Sequence, residues 1–106
     1  MLDEKDRAVA RELARRLTEV IPLRDLCVFG SRARGDARLD SDLDVFIQVE
    51  TCSPGLRRRI NEIAWEVGFE MDRIILTVVA TPDDLEHGMM GANPLLLDIE
   101  REGVRP

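Results

Sequence analysis

The first twenty residues of the chain alternate between apolar and charged positions with the period of a helix. One apolar face is formed by Val9, Leu13, Leu17, Val20 and Ile21. Asp3 stands before this run as a capping residue, and Pro22 follows it. Because apolar residues three and four positions apart share one face of a helix, the pattern predicts a helix over residues 3 to 20.

A second helical pattern lies in the middle of the chain. Ser53 is a good capping residue, and Pro54 suits the first helical position. The apolar stripe that follows is formed by Leu56, Ile60, Ile63, Ala64 and Val67. Gly68 is expected to end this helix, because glycine is common just after the last helical residue.

Three other apolar runs are typical of strands. Residues 26–29 form a short apolar run, and residues 69–80 are rich in β-branched side chains. Residues 43–49 alternate, so that one face carries Leu43, Val45, Ile47 and Val49. The opposite face carries Asp42, Asp44, Phe46 and Gln48. Alternation of this kind predicts a strand that is buried on one face.

Two further helix starts complete the predicted order. Thr81-Pro82 and Asn93-Pro94 each combine a capping residue with a proline at the first helical position, and the last helix is expected to stop at Gly103. The order is helix, strand, loop, strand, helix, strand and two short helices. It predicts an α/β or α+β fold, in which helices cover a small sheet, as a single domain over residues 1–106.

Composition narrows the classes of function. The 106 residues are 44% hydrophobic and 34% charged, with a net charge of −6. This acidic balance argues against broad binding to nucleic acid or to an anionic membrane. The sequence has no apolar run long enough to span a membrane, and its charged N-terminus is unlike a signal peptide. Cys27 and Cys52 lie far apart, which favours reduced thiols and a cytoplasmic location.

The acidic stretch between the first two strands needs an explanation. A solvated turn accounts for Asp36 and Asp40, since aspartate is common in turns. It accounts poorly for Asp44, which lies inside the alternating strand beside Asp42. A calcium loop is excluded, because Val45 and Thr51 occupy the positions where such a loop needs glycine and glutamate.

A magnesium site for a nucleoside triphosphate explains this stretch better. Asp42 and Asp44 are two carboxylates on one strand face, and Mg²⁺ is usually held by one or two carboxylates together with substrate phosphates. Gly30 would let the backbone approach the phosphates, and the Ser31 hydroxyl could donate to them. A cationic patch is expected from Arg32, Arg34 and Arg38.

These residues resemble the signature of the nucleotidyltransferase superfamily that includes DNA polymerase beta. Gly30-Ser31, ten intervening residues and Asp42-x-Asp44 form the motif, and the string GSRARGDARLDSDLDVFI is similar to the minimal (MNT) members. The resemblance implies a small mixed sheet covered by helices. It also implies transfer of AMP from ATP with Mg²⁺, with two ions, onto a hydroxyl group. The nucleotide would be bound by Gly30, Ser31 and Arg34.

The resemblance implies a third carboxylate on a later strand as well. Asp72 is the candidate third metal ligand, and Glu70 is the alternative on the same predicted strand face. The simpler interpretation of Asp72, without a metal, is a charged residue at the start of a strand that pairs with Arg73 or another neighbour.

Minimal members commonly pair with an all-helical HEPN toxin, so the resemblance implies an antitoxin that AMPylates a tyrosine of that partner. One alternative is a weakly catalytic module that neutralises its partner by occlusion. Another is transfer to a small molecule, and a homo-oligomer is also possible.

Four other features are interpreted more simply. Arg57-Arg58-Arg59 is expected to be a solvated helix face. Trp65 is expected to pack beside the apolar stripe, and His87 is assigned no chemistry. Met89-Met90 is interpreted as an exposed apolar contact or as part of a loop.

Overall fold

The computed structural model describes residues 2–38, 40–87 and 93–106, and the Met89-Met90 pair lies outside these ranges. In the part of the chain described, three strands and five helices form a small α+β fold. The elements are α1 (Glu4–Thr18), β1 (Leu23–Phe29), α2 (Gly30–Arg34), β2 (Leu43–Val49), α3 (Pro54–Met71), β3 (Ile75–Ala80), α4 (Pro82–Glu86) and α5 (Pro94–Glu102). The predicted fold class is confirmed, and so is the predicted order of elements except at residues 30–34, where the short helix α2 occupies the start of the predicted loop.

The three strands form one mixed sheet with β2 at its centre. Strand β1 pairs antiparallel with β2, and β3 pairs parallel with it. In this register Asp44 of β2 lies between Phe29 of β1 and Leu76 of β3. Asp44 is therefore placed on the central strand, at the end of the sheet where β1 leads into α2.

The two faces of the sheet are covered differently. Leu43, Val45 and Ile47 are fully buried in the main core, which they share with apolar residues of α1 and α3. A smaller cluster lies on the other face, where Phe46 packs with Ile99 of α5. The alternation predicted for β2 is thus confirmed, and α1 and α3 form the thick side of the fold.

The predicted helix starts are confirmed by their capping hydrogen bonds. The Asp3 carboxylate accepts from the Asp6 N–H at 2.7 Å, and the Ser53 hydroxyl accepts from the Leu56 N–H at 3.1 Å. Thr81 forms a reciprocal capping box with Asp84. These contacts are local in sequence, which is why they could be predicted without the fold.

The predicted end of α3 is wrong. The helix continues through Gly68 to Met71, and Asp72 caps it in the left-handed conformation with φ of 58°. Gly68 is buried, and a Cβ atom there would collide with the backbone carbonyl oxygen of Arg73. The glycine serves this close approach of the chain after the turn, and it does not end the helix.

This shift also corrects the predicted third strand. Strand β3 begins only at Ile75, so Glu70 lies in the last turn of α3 and Asp72 is its cap residue. Neither carboxylate is on a strand. The β-branched run does form a strand from Ile75 onward, but residues 69–71 belong to the helix that precedes it.

Candidate active site

The start of α2 brings Gly30 close to the Asp44 carboxylate. Gly30 has a φ of 77°, in the region that favours glycine. A Cβ atom at this position would collide with the Oδ2 atom of the Asp44 carboxylate. Gly30 is therefore needed twice, once for its backbone conformation and once for the room that it leaves beside the carboxylate.

The charge of Asp42 acts on the pKa of the Asp44 carboxylate. Burial raises the pKa of Asp44 above its usual 3.8, and the nearby charge of Asp42 raises it further, whereas Arg34 acts in the opposite direction. A carboxylate whose ionisation is opposed by a neighbouring carboxylate belongs to a site that a cation would stabilise. Oxygen donors of this kind suit Mg²⁺, so the residues present fit the metal that the motif predicts.

The other predicted nucleotide-binding residues lie on α2. Ser31 is half-buried in the first turn of this helix, directly after Gly30. Arg34 is near enough to Asp44 to lower its pKa, but its guanidinium also donates to Glu102 at 2.9 Å and to Asp36 at 3.2 Å. These two carboxylates raise the pKa of Arg34. The structure thus brings Gly30, Arg34, Asp42 and Asp44 together.

The predicted cationic patch is wrong for Arg32, which is buried. Its guanidinium donates to the Asp6 carboxylate at 3.2 Å and, through Nε, to the carbonyl oxygen of Ser41 at 2.9 Å. Arg73 also donates to Asp6, at 2.8 Å. Arg32 therefore anchors the loop before β2 to α1.

Sequence reasoning missed the partner in this buried network. Asp6 is only 2% exposed and lies on the same helical face as Ala10, Leu13 and Leu17. An acidic residue within an apolar stripe is a signal for a buried ion pair, because an unpaired buried charge is costly. The same logic then asks for an arginine elsewhere in the chain.

The two candidates for a third carboxylate lie apart from the Asp42–Asp44 pair. The Asp72 side chain is 98% exposed, with Lys5 4.0 Å away, and Glu70 pairs with Arg16. Over residues 2–38, 40–87 and 93–106, no three His, Cys, Asp or Glu side chains form a group that could hold a metal ion. The register places Leu76 beside Asp44 on β3.

Asp44 and Asp72 do line one open cleft, of about 1280 Å³, which follows the outer side of β3. Trp65 and Phe69 of α3 line the same cleft, and their rings stack with centroids 5.4 Å apart. Trp65, which is expected to pack beside the apolar stripe, stacks on Phe69 and is 70% exposed. The buried stripe of α3 faces the sheet, and Trp65 lies on its flank.

Comparison with known proteins identifies the family. The sequence model of the nucleotidyltransferase domain family matches residues 9–86. Since this match spans well over half of the sequence, the chain belongs to the nucleotidyltransferase domain family. Among curated proteins, none matches this sequence.

Two solved structures are similar to this chain. One, described as a candidate minimal nucleotidyltransferase, has 24% identity and a TM-score of 0.68, covering 100% of this chain and 97% of its own. The other, described as a toxin-antitoxin crystal structure with AMP-PNP, has 19% identity and a TM-score of 0.63. That match covers 91% of this chain and 70% of the other. At these identities the likeness shows the fold.

No helix in the described ranges is both long enough and apolar enough to cross a bilayer.

Proposed function

We propose that this chain is a Mg²⁺-dependent nucleotidyltransferase that transfers AMP from ATP to a hydroxyl group of a partner protein. The observation that carries the proposal is the place of the Asp44 carboxylate next to Gly30, where a Cβ atom would collide with it, together with the charge of Asp42 nearby. A glycine that leaves room next to paired carboxylates supports the binding of a phosphate and its metal at one place.

Asp42 and Asp44 are assigned as the carboxylates that hold Mg²⁺, as two ions. When bound, Mg²⁺ supplies charge neutralisation for the phosphates and lowers the pKa of the attacking hydroxyl group. Both carboxylates must be ionised to hold it, and the raised pKa of Asp44 means that ionisation needs a higher pH without the metal than with it.

Residues of α2 are assigned to the nucleotide. Gly30 leaves space for a phosphate oxygen, and the Ser31 hydroxyl donates a hydrogen bond to it. Arg34 contributes positive charge next to Asp44, and its bonds to Glu102 and Asp36 hold the guanidinium in position. The transfer then consists of one exchange: the acceptor oxygen forms a bond to the α-phosphorus, the bond to the pyrophosphate leaving group breaks, and the hydroxyl proton leaves to solvent.

The proposed acceptor is a tyrosine hydroxyl of an all-helical HEPN toxin, which makes this chain the antitoxin of a pair. The similar toxin-antitoxin structure with AMP-PNP supports a toxin partner and an adenine nucleotide.

A second candidate function is neutralisation of the partner by occlusion, with little or no chemistry. One observation favours it: in the described ranges no third acidic side chain joins Asp42 and Asp44, and the neighbouring position on β3 is Leu76. The assignment of Asp72 as third carboxylate, with Glu70 as the alternative, stays a prediction for the same experiment to decide.

The test combines this protein, its partner, ATP and Mg²⁺, followed by intact mass measurement of both chains. We expect the partner to gain nucleoside monophosphate increments with the wild-type protein and with Asp98→Asn, an exposed carboxylate on α5 that serves as control. Asp42→Asn and Asp44→Asn should abolish the gain. A partner that stays unmodified while its toxicity is still neutralised would contradict the transferase and favour occlusion.

The same assay resolves the third carboxylate. If Asp72 holds metal, Asp72→Asn loses modification as Asp44→Asn does, whereas Glu70→Gln keeps it. Equal activity of both variants would show that the chemistry needs only the Asp42–Asp44 pair.

A further inference from the structure

The outer edge of β3 presents backbone groups that no strand in the described ranges pairs with. The Leu43 N–H donates to the Ile74 carbonyl oxygen at 2.8 Å. In a parallel ladder alternate residues bond to the neighbouring strand, so this bond fixes which groups point outward. Those of Ile75, Thr77 and Val79 point away from β2.

The opposite edge of the sheet is protected, and β3 is not. Strand β1 has a bulge at its start, carries Arg24 and Asp25, and makes a backbone bridge from Val28 to Val104. Strand β3 has the sequence ILTVVA, without a charge or a proline. Soluble proteins block free edges with such devices, so an apolar edge without them is a site for pairing.

An exposed flank of α3 lies beside this edge. The Thr77 hydroxyl donates to the Asn61 side chain at 2.7 Å, which fixes the middle of β3 next to the middle of that flank. Arg57 lies one helical turn before Asn61, and Trp65 lies one turn after it. Both are exposed, and both line a shallow groove with Asn61.

We propose that the occupant of this edge is a second copy of the chain, with β3 pairing antiparallel to β3 of the partner subunit about Thr77. This register sets Ile75 opposite Val79 of the partner subunit and Thr77 opposite Thr77 of the partner subunit. Every outward backbone group therefore finds a hydrogen-bonding partner. The result is one continuous six-stranded sheet with a two-fold axis through its centre.

Two exposed side chains of α3, Arg57 and Trp65, fit this symmetry. Because the crossover from β2 to β3 makes α3 antiparallel to β3, the axis at Thr77 passes near Asn61 and brings the two copies of α3 side by side. Residues at equal distances from Asn61 then oppose each other. The exposed Trp65 ring of each copy meets Arg57 of the partner subunit, a favourable pairing of a cation with an aromatic face.

The pairing has a consequence for the site, and this consequence rests on the proposed function. Asp44 lies level with Leu76, one residue from the axis position. With strands about 4.8 Å apart and a rise of about 3.3 Å per residue, the two Asp44 positions would lie roughly 16 Å apart. Both would open on the same face of the sheet, toward one partner.

Sedimentation equilibrium of the isolated chain tests the pairing. We expect a reversible dimer for the wild-type protein. Trp65→Arg places two cations against each other and should weaken dimerisation at least about tenfold. Val20→Arg is the matched control, because Val20 is an apolar residue that is 48% exposed away from β3, and it should leave the dimer unchanged.

Two further variants make the result specific. Thr77→Pro removes the central outward N–H and should dissociate the dimer, with circular dichroism showing that the fold is kept. Arg57→Glu combined with Trp65→Arg should restore dimerisation, since each new arginine then faces a glutamate. A wild-type monomer at all concentrations, a dimer that survives Trp65→Arg, or an edge that is filled only by another protein would overturn the proposal. None of these readouts depends on nucleotide transfer, so they stand apart from a failure of the proposed function.

Discussion

On strand β2, the residues that face α1 and α3 are buried and apolar, whereas those that face away combine the buried Phe46 with the half-buried Asp44 and Gln48. Val45 and Ile47 are fully buried among aliphatic side chains. Asp44, between Leu43 and Val45 in the chain, faces the other way, beside Gly30. A single strand thus separates packing from chemistry by the two-residue period of its side chains.

A small domain can in this way carry a site whose charge is disfavoured by folding. The raised pKa of Asp44 means that the fold disfavours its charge, which is the form that metal binding needs. The packed face of the same strand offsets this, because the core side chains of β2 are fixed between two helices. Substitutions on the two faces should therefore have different consequences, in activity on one side and in stability on the other.

The largest effect is expected on the face of β2 that carries Asp44. Asp44→Asn removes the charge of a proposed metal ligand while keeping the shape of the side chain. We expect the rate of AMP transfer to fall about 1,000-fold, as it does when one essential electrostatic group is lost. The measurement is the initial rate of partner modification at saturating ATP and Mg²⁺. A variant with more than a tenth of the wild-type rate would remove Asp44 from the catalytic assignment.

The next largest effect concerns the buried ion pair between Asp6 of α1 and Arg32 of α2. Asp6→Ala leaves the Arg32 guanidinium buried without its carboxylate, and it also removes a partner of Arg73. We expect the free energy of unfolding to fall by about 3 kcal/mol, the usual result of breaking a buried pair from one side. Urea denaturation measures it. Asp3→Ala, which removes only a helix cap in the same element, should cost about 1 kcal/mol.

A smaller effect is expected from the packed face alone. Ile47→Val deletes one methylene from a fully buried side chain and should lower the free energy of unfolding by about 1 kcal/mol, without changing the transfer rate per folded molecule. Ile74→Val makes the same chemical change at a position that is 67% exposed, so it should change stability little. Equal losses in the two variants would contradict the assignment of the core to this face.

The smallest effect is a gain of stability at the site. Asp44→Asn should raise the free energy of unfolding at neutral pH by about 0.5 kcal/mol, a value kept small because the carboxyl group is partly exposed. The pKa of Asp44 is raised by folding, so its charge is unfavourable above that pKa and the cost disappears on protonation. The advantage of the variant should therefore shrink as the pH falls through the raised pKa. Thermal unfolding measured across pH, without metal, tests this expectation. An advantage of the variant that grows as the pH falls would contradict the predicted direction of the effect.

Much of the fold was predictable because its determinants are local. The caps at Asp3, Ser53 and Thr81 bind backbone groups within three residues, and the stripes of α1 and α3 follow the helical period. The alternation of β2 specified its buried face. The candidate motif was also visible, since Gly30 and Asp44 flank a single connection between adjacent antiparallel strands.

The predictions that failed all concern contacts between distant residues. Gly68 lies inside α3 because the carbonyl of Arg73 returns against it after the turn, which moves Glu70 and Asp72 off the strand.

Residues a few positions apart were thus enough to specify the elements, their caps, the polarity of β2 and the pair of carboxylates at its start. Tertiary structure alone decided that Arg32 serves Asp6 rather than a phosphate, and that Arg34 reaches Glu102. It also decided that the edge of β3 is left open to a partner over the described residues. Each of these depends on the free energy of pairing or burying groups that only the folded chain brings within reach of one another.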